Sequence, residues 1–180
     1  MERGKLQSLV LVALFTALTV VGTSIMIPLP GAFVHFGNAI LLLAVLLIGY
    51  VKGVFAGALG FAIFDYSHGY TTEIPYFFLE SFVVGAVAYG LFLLFKKNPT
   101  KIWQIVVIGI GTGVAKIVMT QIKNTVIGLM VGSQLPQAFT AAFVKLPATL
   151  INATSTVIIV ALLYFPLRKA LQQAFKQRFA

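Results

Sequence analysis

Apolar residues dominate this chain in long runs, and polar residues mostly punctuate the gaps between them. Six runs are candidates for crossing a bilayer, near 6–27, 36–51, 53–66, 76–95, 102–122 and 147–166. In lipid the backbone must satisfy its own hydrogen bonds, so each run is read as a helix. Helix punctuation marks the boundaries: Pro28-Leu-Pro-Gly after the first run, Gly49 to Gly53 after the second, and Asn98-Pro99 after the fourth. Pro136 and Pro147 precede the sixth. The third run is short, about 21 Å at 1.5 Å per residue, and needs help from its flanks or local thinning to span a core of about 30 Å.

Composition agrees with this pattern. Fifty-nine per cent of the 180 residues are apolar and 9% are charged. An average soluble domain is about 25% charged, so soluble, disordered and coiled-coil classes are excluded and the solvent is lipid. The expected fold is an all-α integral membrane protein: one six-helix domain over 1–180, with both termini cytoplasmic. The first run follows a basic flank as a signal peptide would, but it outlasts the usual signal core and further spans follow. It is read as a retained helix.

A net charge of +9 raises the question of nucleic acid. In a six-span topology, Arg3, Lys5, Lys52, Lys96, Lys97, Lys101, Arg168, Lys169, Lys176 and Arg178 share the side of the termini. That is ten of the 13 basic residues. The bias places that side in the cytoplasm and makes the cations topological flanks, so no nucleic-acid partner is expected. The expected localisation is multi-pass in a cell membrane of prokaryotic type.

The remaining polar residues gather toward the opposite face. The helix directions put Glu80 about 7 Å down the fourth span, Lys116 about 9 Å below the end of the fifth, and Asn152 about 9 Å down the sixth. Asn38 opens the second span and Asp65 closes the third. A charge deep in a span costs about 2.5–3.5 kcal/mol. Glu80 and Lys116 either neutralise each other as a buried pair or contact a polar heterocycle, with Asn152 and Asn38 as amide partners. A third reading has the lysine snorkelling to the interface. His35, between Phe33 and Phe36 in the proline-stiffened 28–37 loop, is a lid residue or part of an interfacial aromatic belt. Tyr66, His68, Tyr70 and Tyr76 raise the same choice, and Tyr76 joins the candidate substrate contacts. The spacing of Asp65 and His68 fits no nucleophile–base motif.

Cysteine is absent and there are only 4 acids and 2 histidines, so no metal site and no cofactor are expected. The chain carries no Gly-x-Ser-x-Gly elbow, His-Glu-x-x-His helix or acid-rich phosphotransfer motif, which argues against an enzyme. No internal repeat supports a stand-alone secondary transporter. Small residues recur four apart at Ala13/Ala17, Gly53/Gly57, Ala56/Gly60, Ala86/Gly90 and Gly109/Gly113, a spacing that lets helices approach closely in lipid. The basic stretch 168–179, with Leu171, Phe175 and Phe179 at helical spacing, suits an interfacial helix or a solvated tail.

The order of these features carries a resemblance. A basic N-terminus leads into a helix bearing Ala13 and Ala17, then Pro-Leu-Pro-Gly (28–31), Phe-Gly-Asn-Ala (36–39), Gly-Tyr-Val-Lys-Gly (49–53) and a glycine-rich helix with Gly57 and Gly60 ending in Asp65. Over nearly its whole length the chain resembles the substrate-binding S component of an energy-coupling factor (ECF) vitamin transporter. It looks closest to the hydroxymethylpyrimidine and vitamin B6 branch, with riboflavin, folate and pantothenate types as alternatives. The resemblance implies a small-molecule vitamin bound in the outer half and release inward by toppling. It further implies partnership with a transmembrane coupling protein and two ABC-type ATPases. It maps the coupling interface to Ala13 and Ala17 and the gate to the 28–37 loop; Glu80, Lys116 and Asn152 correspond to ligand contacts by location. The chain has no Gly-x4-Gly-Lys-Ser/Thr loop of its own, so ATP hydrolysis is expected in a partner.

Overall fold

A computed structural model describes residues 3–29 and 32–175. Helix α1 (Arg3–Ser24) leads into a small antiparallel hairpin, β1 (Met26–Leu29) and β2 (Ala32–His35), then α2 (Gly37–Ile48) and α3 (Tyr50–Ser67). A single 3-10 turn at Thr71–Glu73 precedes α4 (Ile74–Leu94), followed by α5 (Ile102–Met130), α6 (Leu135–Ala142) and α7 (Leu146–Phe175). The Pro30-Gly31 part of the proline loop and the end of the basic tail, Lys176, Arg178 and Phe179 included, lie outside the described residues.

The uniformly apolar α2 is the centre of the molecule. Its residues Gly37 to Ala39 and Leu41 to Leu47 are buried, and it packs on α1, α3, α4 and α7. A helix with no polar face is stable only where every face meets protein or lipid, and here protein surrounds it. The other helices show lipid-type outer surfaces: Ile110, Val114, Val118, Ile122 and Val126 form an exposed stripe along α5. Among the described residues, four helical stretches are long and apolar enough to cross a membrane, Gly4–Ser24, Thr71–Leu94, Ile102–Met130 and Leu135–Phe175. The 12 residues of α2 fall short of that length, and α3 dilutes its apolar residues with glycines, Lys52 and Asp65.

Two glycines make the α2–α3 elbow. Gly49 alone separates the helices, at φ 90° and ψ 167°, a region accessible essentially to glycine only. A Cβ on Gly53 would lie 2.4 Å from the Val45 backbone nitrogen, so the helices meet backbone to backbone. The Gly57 and Gly60 positions press on Leu41 of α2 and Thr19 of α1, while Gly109 and Gly113 receive Val157 and Ala153 of α7. The Ala86/Gly90 spacing is not used this way: both are exposed and nothing lies near Gly90. Gly85 and Ala88 face the core there instead.

Several boundaries differ from the expected ones. Helix α5 runs to Met130 rather than ending near 122, and the short α6 follows it. The last span does not stop at 166: α7 continues through Pro166 to Phe175. Arg168 ties this extension to the α4–α5 turn by donating to the Pro99 carbonyl and the Asn98 side chain, and Leu171 packs on the core. The described part of the basic stretch is therefore a continuation of the helix and not a separate tail.

Candidate binding site

The hairpin is where local sequence meets distant structure. Pro28 pairs with Phe33 and Met26 with His35 across the two strands. So short a ribbon is marginal alone, and Asn152 on α7 holds it: its Oδ1 accepts from the His35 backbone N–H and its Nδ2 donates to the Phe33 carbonyl, both at 2.8 Å. The next backbone N–H, Phe36, donates to Gly22 of α1 at 2.9 Å. Asn152, expected as an amide contact for a ligand, clamps the hairpin beside the cavity and also lines it.

Beneath the hairpin lies a cavity of about 240 Å³. His35, Asp65, Tyr76, Glu80, Lys116 and Asn152 all line it, so six of the seven expected substrate contacts come together. Asn38 does not line it; it is buried at the start of α2 with its Nδ2 unpaired. The floor is built on α4 and α5. Glu80, 3% exposed, accepts from the Tyr76 hydroxyl one helical turn earlier and from the Lys116 ammonium. A buried carboxylate is tolerated when it is paired and hydrogen-bonded, and both conditions hold.

A second pair sits on the same wall. Lys123 of α5 bonds Glu73 of the 3-10 turn, and its ammonium lies 4.4 Å from the centre of the Tyr76 ring and 5.0 Å from that of Phe77. Lys116 approaches the same Phe77 ring at 5.5 Å. These distances are within cation–π range. Aromatic walls complete the cavity: Phe33 packs on Tyr70 and Phe61 on Phe77.

His35 contributes in neutral form. Its Nδ1 accepts from the Gly37 N–H, which leaves the proton on Nε2, and its ring sits edge-on to Phe61. Burial, and the Lys116 charge, push its pKa down to about 3. His68, by contrast, does not line the cavity; it stacks on Phe64, and its Nδ1 bonds the Phe64 carbonyl. Tyr66 is likewise outside the cavity, and Tyr70 is in its wall.

Glu73, Thr120, Lys123, Asn124 and Lys145 are lining residues that sequence reasoning did not single out. Lys116, Thr120, Lys123 and Asn124 follow the spacing of one helix face, a signal hidden by ending the fifth span at 122. Ala13 and Ala17 are exposed on α1, on the side away from the buried Leu11, Phe15 and Thr19. Among the described residues no group of three His, Asp or Glu side chains is placed to hold a metal ion.

The fold and this cavity define a multi-pass membrane protein with a polar, aromatic-walled binding chamber under a clamped hairpin. Residues 4–169 match the family model described as ECF-type riboflavin transporter, S component. The chain belongs to that family and is a substrate-specific subunit of a vitamin transporter, a class that works with an energy-coupling module. No curated protein and no solved structure matches it.

Proposed function

We propose that this subunit binds a single-ring nitrogen heterocycle of the hydroxymethylpyrimidine or vitamin B6 type and delivers it inward. The observation that carries this reading is the cavity's size. At about 240 Å³ it lies below the roughly 300–1,000 Å³ of pockets for drug-sized ligands, while its aromatic walls and paired charges suit a small polar ring. Riboflavin is the second reading, favoured by the family's description. With three fused rings and a ribityl chain it is the larger ligand.

In this proposal six helices cross the cell membrane with both termini in the cytoplasm. The basic flanks support that orientation, and the cavity then opens to the outside. Glu80, Lys116, Tyr76, His35 and Asp65 surround the ligand, with Asn152 acting through the hairpin it holds. Asn38 belongs to the supporting layer. The exposed Ala13/Ala17 face of α1 docks on a transmembrane coupling protein that two ABC-type ATPases drive. Small residues there permit the close backbone approach such docking needs.

Two measurements test this. Mass spectrometry of small molecules released from the purified protein is expected to find a pyrimidine or pyridine vitamin; a flavin would favour the second reading. Ala13→Trp is expected to abolish uptake in cells while leaving ligand binding in detergent intact. Normal uptake by that variant would overturn the docking face.

A further inference from the structure

Six charged side chains line the cavity, and four of them already answer one another. Lys116 bonds Glu80, and Lys123 bonds Glu73. Asp65 and Lys145 remain. Asp65 is 5% exposed, yet its carboxylate receives no hydrogen bond from any described residue, and its Oδ2 is buried without a partner. Its backbone carbonyl is satisfied by the Tyr70 N–H at 2.7 Å, so the deficit belongs to the side chain alone. Lys145, half-buried at the turn into α7, forms no ion pair with a described residue.

A carboxylate removed from water without a donor is strongly unfavourable, and one that lines a binding cavity can be satisfied by what enters. We propose that Asp65 is a specificity-determining residue that accepts a hydrogen bond from an amino group or protonated ring nitrogen of the ligand. Lys145 donates to an acceptor, a ring nitrogen or hydroxyl, on the same molecule. The cavity thereby selects a ring that carries both a donor edge and an acceptor edge. Glu80 and Lys116, already paired, hold the chamber's shape and do not choose between ligands. This inference rests on the reading of the cavity as the vitamin site and narrows its substrate class.

The test is calorimetric titration of the full chain in detergent with 4-amino-5-hydroxymethyl-2-methylpyrimidine and with its 4-deamino analogue. A hydrogen bond to a charged group predicts that the wild type prefers the amino compound by about 10–150-fold. Asp65→Leu is expected to reduce that preference to below about 3-fold while the analogue's affinity holds. Should Asp65→Leu fail to fold, Asp65→Asn is expected to reduce it by at least about 5-fold. Lys145→Met is expected to weaken both compounds equally and leave their ratio unchanged. An Asp65 variant that keeps the full preference, or a wild type with none, overturns the role of Asp65. Unchanged affinities in Lys145→Met overturn the role of Lys145. A wild type that binds neither compound overturns the underlying reading of the site, and this inference with it.

Discussion

Replacing Asn152 with alanine removes both clasps on the hairpin, the 2.8 Å bonds to the His35 nitrogen and the Phe33 oxygen. Each is worth a net of about 0.5–1.5 kcal/mol, so the loss is about 1–3 kcal/mol, or roughly 5–150-fold in the opening equilibrium of β2. Amide hydrogen exchange in detergent reads this directly. Protection of the His35 amide should fall by that factor, because Asn152 is its acceptor. The neighbouring Phe36 amide, bonded to Gly22 of α1, should keep most of its protection and serves as the internal control. Ligand affinity should fall in parallel, since the hairpin supplies Phe33 and His35 to the cavity wall. Unchanged protection at His35 would refute the clamp. Equal loss at His35, Phe36 and the helix cores would show general unfolding, and would refute it as well.

Three further outcomes follow from the same geometry. Lys116→Met leaves the Glu80 carboxylate, buried at 3% exposure, with the Tyr76 hydroxyl as its remaining partner; breaking one side of a buried pair costs about 3–5 kcal/mol. Reversible unfolding in mixed micelles should show that loss, and Glu80→Leu combined with Lys116→Met should recover at least half of it; no recovery would count against the pair. Gly53→Ala should fail to yield folded protein, because its Cβ would meet the Val45 backbone. Gly90→Ala, on an open face, should gain about 0.5–1 kcal/mol from helix propensity; equal behaviour of the two would disprove the α2–α3 contact. His35, with its pKa lowered from 6.5 to about 3, binds fewer protons folded than unfolded across that window. Stability should therefore decline as pH falls through 6.5 toward 3, and His35→Gln should flatten the decline in a thermal-melt series. A slope identical to wild type would contradict a half-buried neutral imidazole.

The fold was legible where composition and helix geometry suffice. The apolar run near 36–51 reads as a helix, and α2 falls within it. The polar residues of the site were legible through depth. Counting turns from each boundary placed Glu80 and Lys116 at one level, and their ion pair is the structural outcome of that arithmetic. Three things were not legible. The hairpin depends on contacts between residues 117 and 119 positions apart, for which a four-residue strand carries no local signature. Lys123 and Asn124 read as loop residues because polar side chains normally end a span, yet here the helix continues to Met130 with its polar face against the cavity. Asn38 has the residue type and position of a ligand contact, but the rotation of α2 turns it into the protein.

On the proposed function, the chamber under the hairpin takes a single-ring heterocycle. Calorimetric titration of the purified protein with hydroxymethylpyrimidine, pyridoxine and riboflavin tests it most directly. Saturable one-to-one binding of at least one single-ring compound, and none of riboflavin, is expected. Binding of riboflavin alone would contradict it.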